Sequence, residues 1–470
     1  MAILAICAGW VLPILGGWAV TGWLGWSRTP APMALVGRVA VSTLAGIGMA
    51  SLLSFGWLLA GGVLGTSYVA ADSLCFLALA ATGLSRPGRS GSGPAVLEKG
   101  RFDSIALGAL LLGVVAAVAG MAVLSGASPH GESDAWMMWN MRAKFLVRAG
   151  TDWRIAFAPE LGWTSTEYPL LLPLAIARLW AYGGESTLAP ALLASTFTVC
   201  GPLALAAAVA EQGSTIRGAT AGLLLVGTPG WLSLGASQYA DVPLAALLVA
   251  GVGLLVGPAP VDGRVPRGKV VAAGFLLGLC GWSKNEGVAA AALTVVIFAA
   301  HRWRTGGLRI ATRELLGVAL GAAAPAATWV LFHVLVMPRV TGVLFTGNSW
   351  ESLAGRLADG SRWATILSGL LSRIPGLGWG FPLMALAVAA AFALRERTPP
   401  RTPALAIAFA LLATYVGVFM TTSWDLNWHV RLAADRLVLQ AWPVILLGLF
   451  APGSPFRRGR MLLDSPRGVQ

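Results

Sequence analysis

The chain has 470 residues, of which 56% are hydrophobic and only 11% are charged, and its mean hydropathy is +0.74. Soluble domains carry about 25% charged residues, so this composition excludes a water-soluble fold of such length. The net charge is +13, but we reject nucleic-acid binding because the Arg and Lys residues lie in short loops between apolar runs. The positive-inside bias of membrane proteins predicts that placement, and membrane lipids are the expected partners.

Apolar runs of roughly 20 residues recur along the chain, and each is long enough to cross a hydrocarbon core of about 30 Å. Only helices satisfy their own backbone in lipid without closing a barrel. The sequence therefore predicts one all-α, polytopic integral membrane domain over residues 1–470 with about 12–14 transmembrane helices. The predicted helices cover about 2–25, 39–62, 68–84, 104–126, 168–183, 188–210, 218–235, 243–257, 269–282, 287–301, 314–337, 379–394, 403–421 and 436–451.

The first 103 residues are expected to form N-terminal membrane helices. No basic region precedes the first apolar run, so we interpret this run as a retained helix rather than a cleaved signal. Cys7, Cys75, Cys200 and Cys280 all lie in apolar runs without CxxC spacing. Packing inside the bundle is the expected role of these cysteines.

The basic loops assign sides to the helices. Loops at about 85–102, 258–269, 301–313, 395–402 and 452–460 are predicted to lie inside, and those at 127–167, 237–242, 283–286, 338–378 and 422–435 outside. Three apolar runs between 168 and 236 join two outside loops, which requires an even number of crossings. We therefore expect one run, such as 168–183, to be re-entrant or to cross only in part. The first long outer loop (127–167) and the second (338–378) have helix-like apolar spacing and tryptophans, which predicts interfacial helices.

Polar residues cluster at the ends of helices on the predicted outer side, from regions that are far apart in sequence. Ionisable groups near membrane depth are costly, so such a cluster indicates a cavity lined by paired charges. The candidate residues are Glu132, Asp134, Arg142, Lys144, Glu167, Tyr168, Asp241, Lys284, Glu286, His429, Asp435, Arg436 and Gln440.

Several candidates have two interpretations. Asp134 precedes a predicted amphipathic helix and is either a catalytic carboxylate or the N-cap of that helix. Asp241 either caps its helix or faces the cavity. Lys284 either meets a phosphate at the membrane surface or closes a salt-bridged turn. His429 stands alone between Trp and Val, where a functional role is the less favoured reading.

Arg436 and Gln440 are separated by four positions and lie on one face of the predicted last helix. A guanidinium there can grip phosphate oxygens with two hydrogen bonds. The alternative is a pair with Asp435 or Asp425 that orients the helix. For the second long outer loop, an interfacial helix without chemistry is favoured over a loop that contacts an acceptor.

In combination, these features resemble the glycosyltransferase C superfamily of polyprenyl-phosphate-sugar-dependent membrane transferases, which includes lipid A aminoarabinose transferases, protein O-mannosyltransferases and RgtA-like proteins. The resemblance lies in a long outer loop bearing Glu132 and Asp134, followed by Tyr168-Pro169-Leu170 in place of the family's HPP or YPP motif. It continues in the runs Lys284-Asn285-Glu286-Gly287 and Asp435-Arg436.

The resemblance implies an inverting transfer of a sugar from a polyprenyl-phosphate donor to an acceptor glycan, lipid or protein, on the outer face of a bacterial cytoplasmic membrane. Asp134, or else Glu132, would be the general base. Lys284 and Arg436, and next Arg142 and Lys144, would bind the donor phosphate. A divalent metal held by Glu132, Asp134 and Asp241 stays open, and no other cofactor is expected.

Two other classes remain as alternatives. A transporter or flippase of lipid-linked sugars would use the same charged cavity without a catalytic base, and internal repeats would favour it. A surface-polysaccharide ligase or polymerase would favour a large outer loop rich in Arg and His, whereas residues 338–378 contain no His. The chain has no GxxxxGK[ST], GxSxG or HExxH motif, which argues against an ATP-driven pump.

Overall fold

The computed structural model describes residues 1–26, 31–85, 101–257, 264–337, 349–373, 380–396 and 402–451. Within these ranges the chain is helical and contains no strand, which confirms the predicted all-α class. The helices are α1 (Ala2–Trp23), α2 (Pro32–Leu59), α3 (Thr66–Ser85), α4 (Arg101–Ala127), α5 (Asn140–Arg148), α6 (Leu171–Gly183), α7 (Leu188–Ala210), α8 (Thr215–Val226), α9 (Pro229–Ala236), α10 (Asp241–Val256), α11 (Arg267–Ser283), α12 (Asn285–Gly306), α13 (Leu308–Leu335), α14 (Trp350–Ala358), α15 (Gly360–Arg373), α16 (Gly380–Glu396), α17 (Thr402–Thr421) and α18 (Leu426–Phe450).

The length and apolar composition of the helices define a polytopic, membrane-embedded protein. In the described parts of the chain, eight helices are long and apolar enough to cross a bilayer, or nine if α8 and α9 form one bent span. Three shorter apolar helices, among them α6 and α10, add to these. The basic residues Arg86, Arg89, Lys99, Arg397, Arg401, Arg457, Arg458 and Arg460, predicted to mark the inner side, fall outside the described ranges.

Close helix contacts depend on glycine. A Cβ atom on Gly274 of α11 would lie 2.1 Å from the carbonyl oxygen of Val318 in α13, and one on Gly321 would lie 1.9 Å from that of Val271. Neither distance is sterically possible, so only glycine lets these two backbones approach. Small residues at helix interfaces are the usual way that membrane helices pack closely.

The bundle has two chemically distinct ends. At one end, Arg302 forms a buried pair with Glu314 at 2.6 Å, and the same carboxylate accepts a hydrogen bond from the backbone of Val265 at 2.9 Å. Lys269 and Glu211 pair nearby at 2.6 Å. These contacts lie at the start of α11, whereas Lys284 follows its last residue. We call the end that contains Lys284 the site end.

Helix α6 is the candidate for the apolar run between 168 and 236 that was expected not to cross the membrane. Its 13 residues span about 20 Å, which is less than the thickness of a hydrocarbon core. Arg142 of α5 binds the carbonyl before α6, and Arg148 of α5 binds Glu185 after it at 2.6 Å. That α6 does not cross the membrane stays a prediction. With this prediction, α7 and the bent pair α8–α9 supply the even number of crossings that the flanking loops require.

Several predicted boundaries were wrong: α2 begins seven residues before the predicted start at 39, and α13 begins six residues before the predicted start at 314. The run 218–235 is not one straight helix, because Gly227 and Thr228 separate α8 from α9 and the two meet at a bend of 57°. The last helix begins at Leu426 rather than near 436, because Asp425 caps it by accepting a hydrogen bond from the Trp428 backbone at 2.7 Å. Residues 426–435 are therefore helical and not a loop.

Both long outer loops contain short helices, as predicted. Residues 127–167 contain a π-helical turn (Ala135–Trp139), α5 and two 3₁₀ segments. In the second loop, α14 and α15 are anchored by Arg356 and Arg362, which donate to backbone carbonyls at the end of α17. Trp350 is 88% exposed on α14, as expected for an interfacial helix.

Candidate functional site

Four charged residues from distant segments meet at the site end. Asp134 precedes the π-helical turn, Asp241 begins α10, Lys284 lies between α11 and α12, and Arg436 lies in α18. We call this set the charged cluster. The convergence predicted from the sequence is therefore found for these four side chains.

Arg436 connects the two aspartates. Its Nη2 donates to Asp134 Oδ2 at 2.5 Å, and its Nε donates to Asp241 Oδ2 at 3.0 Å. The predicted alternative partners were wrong: Asp435 accepts only from the backbone of Arg436, and Asp425 caps α18. The guanidinium also lies over the ring of Tyr239, 4.5 Å from its centroid. This cation–π contact adds to the forces that fix the orientation of Arg436.

Asp241 is the centre of the cluster. Its side chain is fully buried, and its Oδ1 accepts from Lys284 Nζ at 3.0 Å and from Gln440 Nε2 at 2.5 Å. A buried carboxylate is costly unless it is paired and hydrogen-bonded, and Asp241 meets both conditions. Of its two predicted roles, capping is wrong, since no cap hydrogen bond forms and the carboxylate turns to the cluster.

Lys284 forms the salt-bridged turn that was one of its two interpretations. It pairs with Asp241 and, at 3.4 Å, with Glu286. The extended backbone at Lys284 ends α11 and starts α12. An ammonium with three donors can keep a carboxylate and still meet a phosphate oxygen, so the turn does not exclude the phosphate role.

Asp134 does not cap the helix that follows it. The side chain makes no capping hydrogen bond, and its carboxylate is directed to Arg436. About 16% of the side chain is exposed, which leaves it accessible from outside the cluster. Glu132, two residues earlier, is exposed and is 3.5 Å from the hydroxyl of Ser128.

A large cavity lies beside the charged cluster. Its volume is about 880 Å³, and its wall includes Glu132, Trp136, Asn140, Lys144, Trp180 and Glu185. Small-molecule sites have comparable volumes. Of the predicted residues, only Glu132 and Lys144 are in this wall. The predicted single cavity is thus two features: a closed cluster of paired charges and an open space next to it.

Arg142 does not belong to a phosphate site, contrary to the prediction. It is buried, and its terminal nitrogens donate to the carbonyls of Thr164, Ser165 and Tyr168 at 3.0–3.2 Å. Burial lowers the pKa of Arg142 to about 10, and the negative charge of Glu167 acts in the opposite direction. Its role is to hold the backbone that leads into α6. Sequence alone does not reveal that these carbonyls need a donor.

Three other predicted lining residues, unlike Glu286 and Gln440, make no described hydrogen bond or ion pair with the four residues of the cluster. Tyr168 packs edge-on against Trp139, and burial raises its pKa well above the usual value. Burial also raises the pKa of Glu167, and the carboxylate of Glu286 adds to that shift. His429 contacts Thr422 at 2.9 Å between Phe419 and Trp424, which fits the packing role.

Tyr415 and Asn140 were missed. The hydroxyl of Tyr415 donates to Gln440 Oε1, which extends the hydrogen-bond network of Asp241 into α17. A tyrosine in the middle of an otherwise apolar run was the available signal for this residue. Asn140 lies in the cavity wall, but the sequence shows it only as one polar residue in an amphipathic helix.

The described residues contain no group of three or more His, Cys, Asp or Glu side chains that could hold a metal ion. The metal set considered from the sequence, Glu132, Asp134 and Asp241, is not assembled. Arg436 occupies the oxygens of both aspartates instead.

Comparisons with family models, with curated proteins and with solved structures found no match. The class that the fold and composition define is a polytopic, all-α integral membrane protein.

Proposed function

We propose that the protein is a membrane glycosyltransferase that moves a sugar from a polyprenyl-phosphate donor to an acceptor at the site end of the bundle. The observation that carries the proposal is the charged cluster: two carboxylates and two cations, from four distant segments, joined at one end of an apolar bundle. Buried ion pairs are weak stabilisers, because desolvation offsets most of their attraction. A function in handling charge accounts better for such a cluster than stability does.

The donor phosphate is assigned to Arg436 and Lys284. A phosphate carries oxygens that match the fork of a guanidinium and the ammonium of a lysine. The lipid tail of the donor would lie among the apolar helices. Because Arg436 contacts Asp134 in the structure, a phosphate that takes over this guanidinium would release the Asp134 carboxylate.

The released Asp134 then acts as general base, as the resemblance implies. The acceptor oxygen forms a bond with the anomeric carbon while its proton passes to the carboxylate. The bond between the anomeric carbon and the phosphate oxygen breaks through an oxocarbenium-like state, and its electron pair stays on the phosphate. Arg436 and Lys284 stabilise the charge that gathers there. Direct displacement inverts the anomeric configuration.

The site end is assigned to the outer face of a bacterial cytoplasmic membrane. The support is the distribution of basic residues, since the opposite end carries Arg302, Lys269 and their neighbours, as the positive-inside bias requires on the cytoplasmic side.

A transporter of lipid-linked sugars is the second candidate. The bend between α8 and α9 favours it, because transporters place broken helices at their substrate sites. At this bend, however, Thr228 accepts a hydrogen bond from Trp442 at 3.0 Å, and the charged cluster does not include it. The enzyme therefore remains the better-supported function.

The discriminating experiment uses proteoliposomes that contain polyprenyl-phosphate-linked glucose, mannose, galactose, N-acetylglucosamine or arabinose, with a cell-envelope extract as the source of acceptor. A transferase releases free polyprenyl phosphate from at least one donor and labels a component of the extract. Movement of an intact lipid-linked sugar between leaflets, with no polyprenyl phosphate released, would identify the transporter and refute the proposal.

A further inference from the structure

We infer that the cavity beside the charged cluster is the acceptor site and that its occupant is a carbohydrate. This inference rests on the proposed function. The residues of the cluster do not define the chemical class of the acceptor, and the cavity narrows that class to a glycan. The cavity is formed by the loop before the π-helical turn, by α5, by the end of α6 and by the start of α7.

Asn140 provides a hydrogen-bond acceptor that the fold does not use. The residue is 6% exposed, and its Nδ2 donates to Gln238 Oε1 at 2.8 Å and to the His130 carbonyl at 3.3 Å. Its Oδ1 is buried and has no hydrogen-bond partner among the described residues. A buried carbonyl without a donor is unfavourable, and a ligand in the cavity that carries O–H or N–H groups would satisfy it. Sugars carry many such groups.

One exposed tryptophan supplies apolar surface for a sugar ring. Trp136 is in the wall of the cavity and is 53% exposed, so its ring is available to a ligand. Trp180 lies in the same wall but is only 4% exposed, and its Nε1 donates to the Ser186 carbonyl at 2.8 Å, so it supports the wall from behind. Aromatic faces with a few well-placed polar groups are typical of sites for small polar ligands.

The charges of the wall offer no excess of cations to a phosphate. Glu132 and Glu185 contribute two carboxylates, and Lys144 contributes one cation. Arg148 already satisfies Glu185 through two hydrogen bonds, at 2.6 and 2.7 Å. A neutral or amino-bearing glycan suits this wall better than a lipid phosphate, which would meet Lys284 and Arg436 in the cluster instead.

One short segment connects the cavity to the cluster, since Glu132 is in the cavity wall and Asp134, two residues later, pairs with Arg436. Ser133 lies between Glu132 of the cavity and Asp134 of the cluster. Its hydroxyl is 3.0 Å from that of Tyr239, the residue on which Arg436 stacks.

The test measures binding without donor, so it does not depend on transfer. The full-length protein in nanodiscs is titrated with maltohexaose, cellohexaose, mannohexaose and chitohexaose, and binding is followed by calorimetry and by saturation-transfer NMR. We expect at least one hexasaccharide to bind. Asn140→Leu and Trp136→Ala should each weaken that binding about tenfold, the effect of losing one well-placed contact.

A control variant separates contact from structure. Trp163→Ala removes a tryptophan of similar exposure, 61%, that is not in the cavity wall. This control should not change binding by more than about twofold.

The inference fails if no hexasaccharide binds, or if Trp163→Ala lowers affinity as much as Trp136→Ala does. If the protein transfers sugar to a lipid or a protein and binds none of these glycans, the inference is wrong while the proposed function stands. Glycan binding that depends on Trp136 and Asn140, in a protein that cleaves no donor, would keep the site and refute the proposed function.

Discussion

Arg436 and Asp134 lie 302 positions apart in the chain, and their side chains meet at 2.5 Å. The contact joins the first long outer loop to the last membrane helix. Through Asp241, the same guanidinium is linked to Lys284, so one arginine connects four segments. The proposed chemistry depends on this connection, because a donor phosphate and Asp134 would compete for the same nitrogen atoms.

Removing a cation of the cluster should weaken donor binding. We expect Arg436→Ala and Lys284→Ala each to reduce affinity for polyprenyl phosphate about 10- to 100-fold, because a hydrogen bond to a charged group contributes about 1.5–3 kcal/mol. Binding of labelled polyprenyl phosphate to the protein in nanodiscs measures this. The matched control is Arg302→Ala, which breaks a buried Arg–Glu pair at the opposite end. Unchanged affinity in both cluster variants would remove these residues from the phosphate site.

Breaking the buried pair of Asp72 in α3 and Arg178 in α6 should destabilise the fold. Arg178 donates to Asp72 at 2.5–3.1 Å, and both side chains are almost fully buried. Asp72→Leu leaves the guanidinium without its carboxylate, so we expect a loss of about 3–5 kcal/mol in the free energy of unfolding. Denaturant unfolding in detergent checks this value. A loss no larger than that from breaking the surface pair Arg148–Glu185 would contradict it.

The raised pKa of Glu167 predicts how stability depends on pH. Burial raises the pKa of this carboxyl in the folded state. At pH values between the usual pKa and the raised pKa, the folded protein therefore binds more protons than the unfolded chain. Stability therefore falls as the pH rises through that window. Glu167→Gln removes this loss. The difference in melting temperature, variant minus wild type, should therefore be more positive at pH 8 than at pH 4. A difference of opposite sign would overturn the assignment.

Much of the fold follows from the sequence, because long apolar runs admit few structures other than membrane helices. The bend at Thr228 was not predicted, since a Thr-Pro step inside an apolar run does not reveal whether the helix continues. The start of α18 was placed ten residues late, because Asp425, His429 and Asp435 made a helical segment look like a polar loop.

For the candidate site, the sequence predicted that the charged residues converge but not which carboxylate pairs with which cation. The cost of placing charges near the membrane was enough to indicate that Asp134, Lys284 and Arg436 belong together. Which carboxylate meets which cation depends on the direction of each side chain, and local partners were the wrong choice for Arg436 because Asp425 is used as a cap. Arg142 was misassigned because the carbonyls that it satisfies form only in the folded loop.

The most direct test of the central claim is a single-turnover transfer assay with Asp134→Asn. An asparagine can still accept a hydrogen bond from Arg436, so the variant should fold and bind polyprenyl-phosphate sugar. Lacking a general base, it should transfer sugar about 10²- to 10⁴-fold more slowly than the wild type. The control Asp152→Asn changes an exposed carboxylate of the same loop and should transfer at the wild-type rate. Transfer by Asp134→Asn at the wild-type rate would contradict the account.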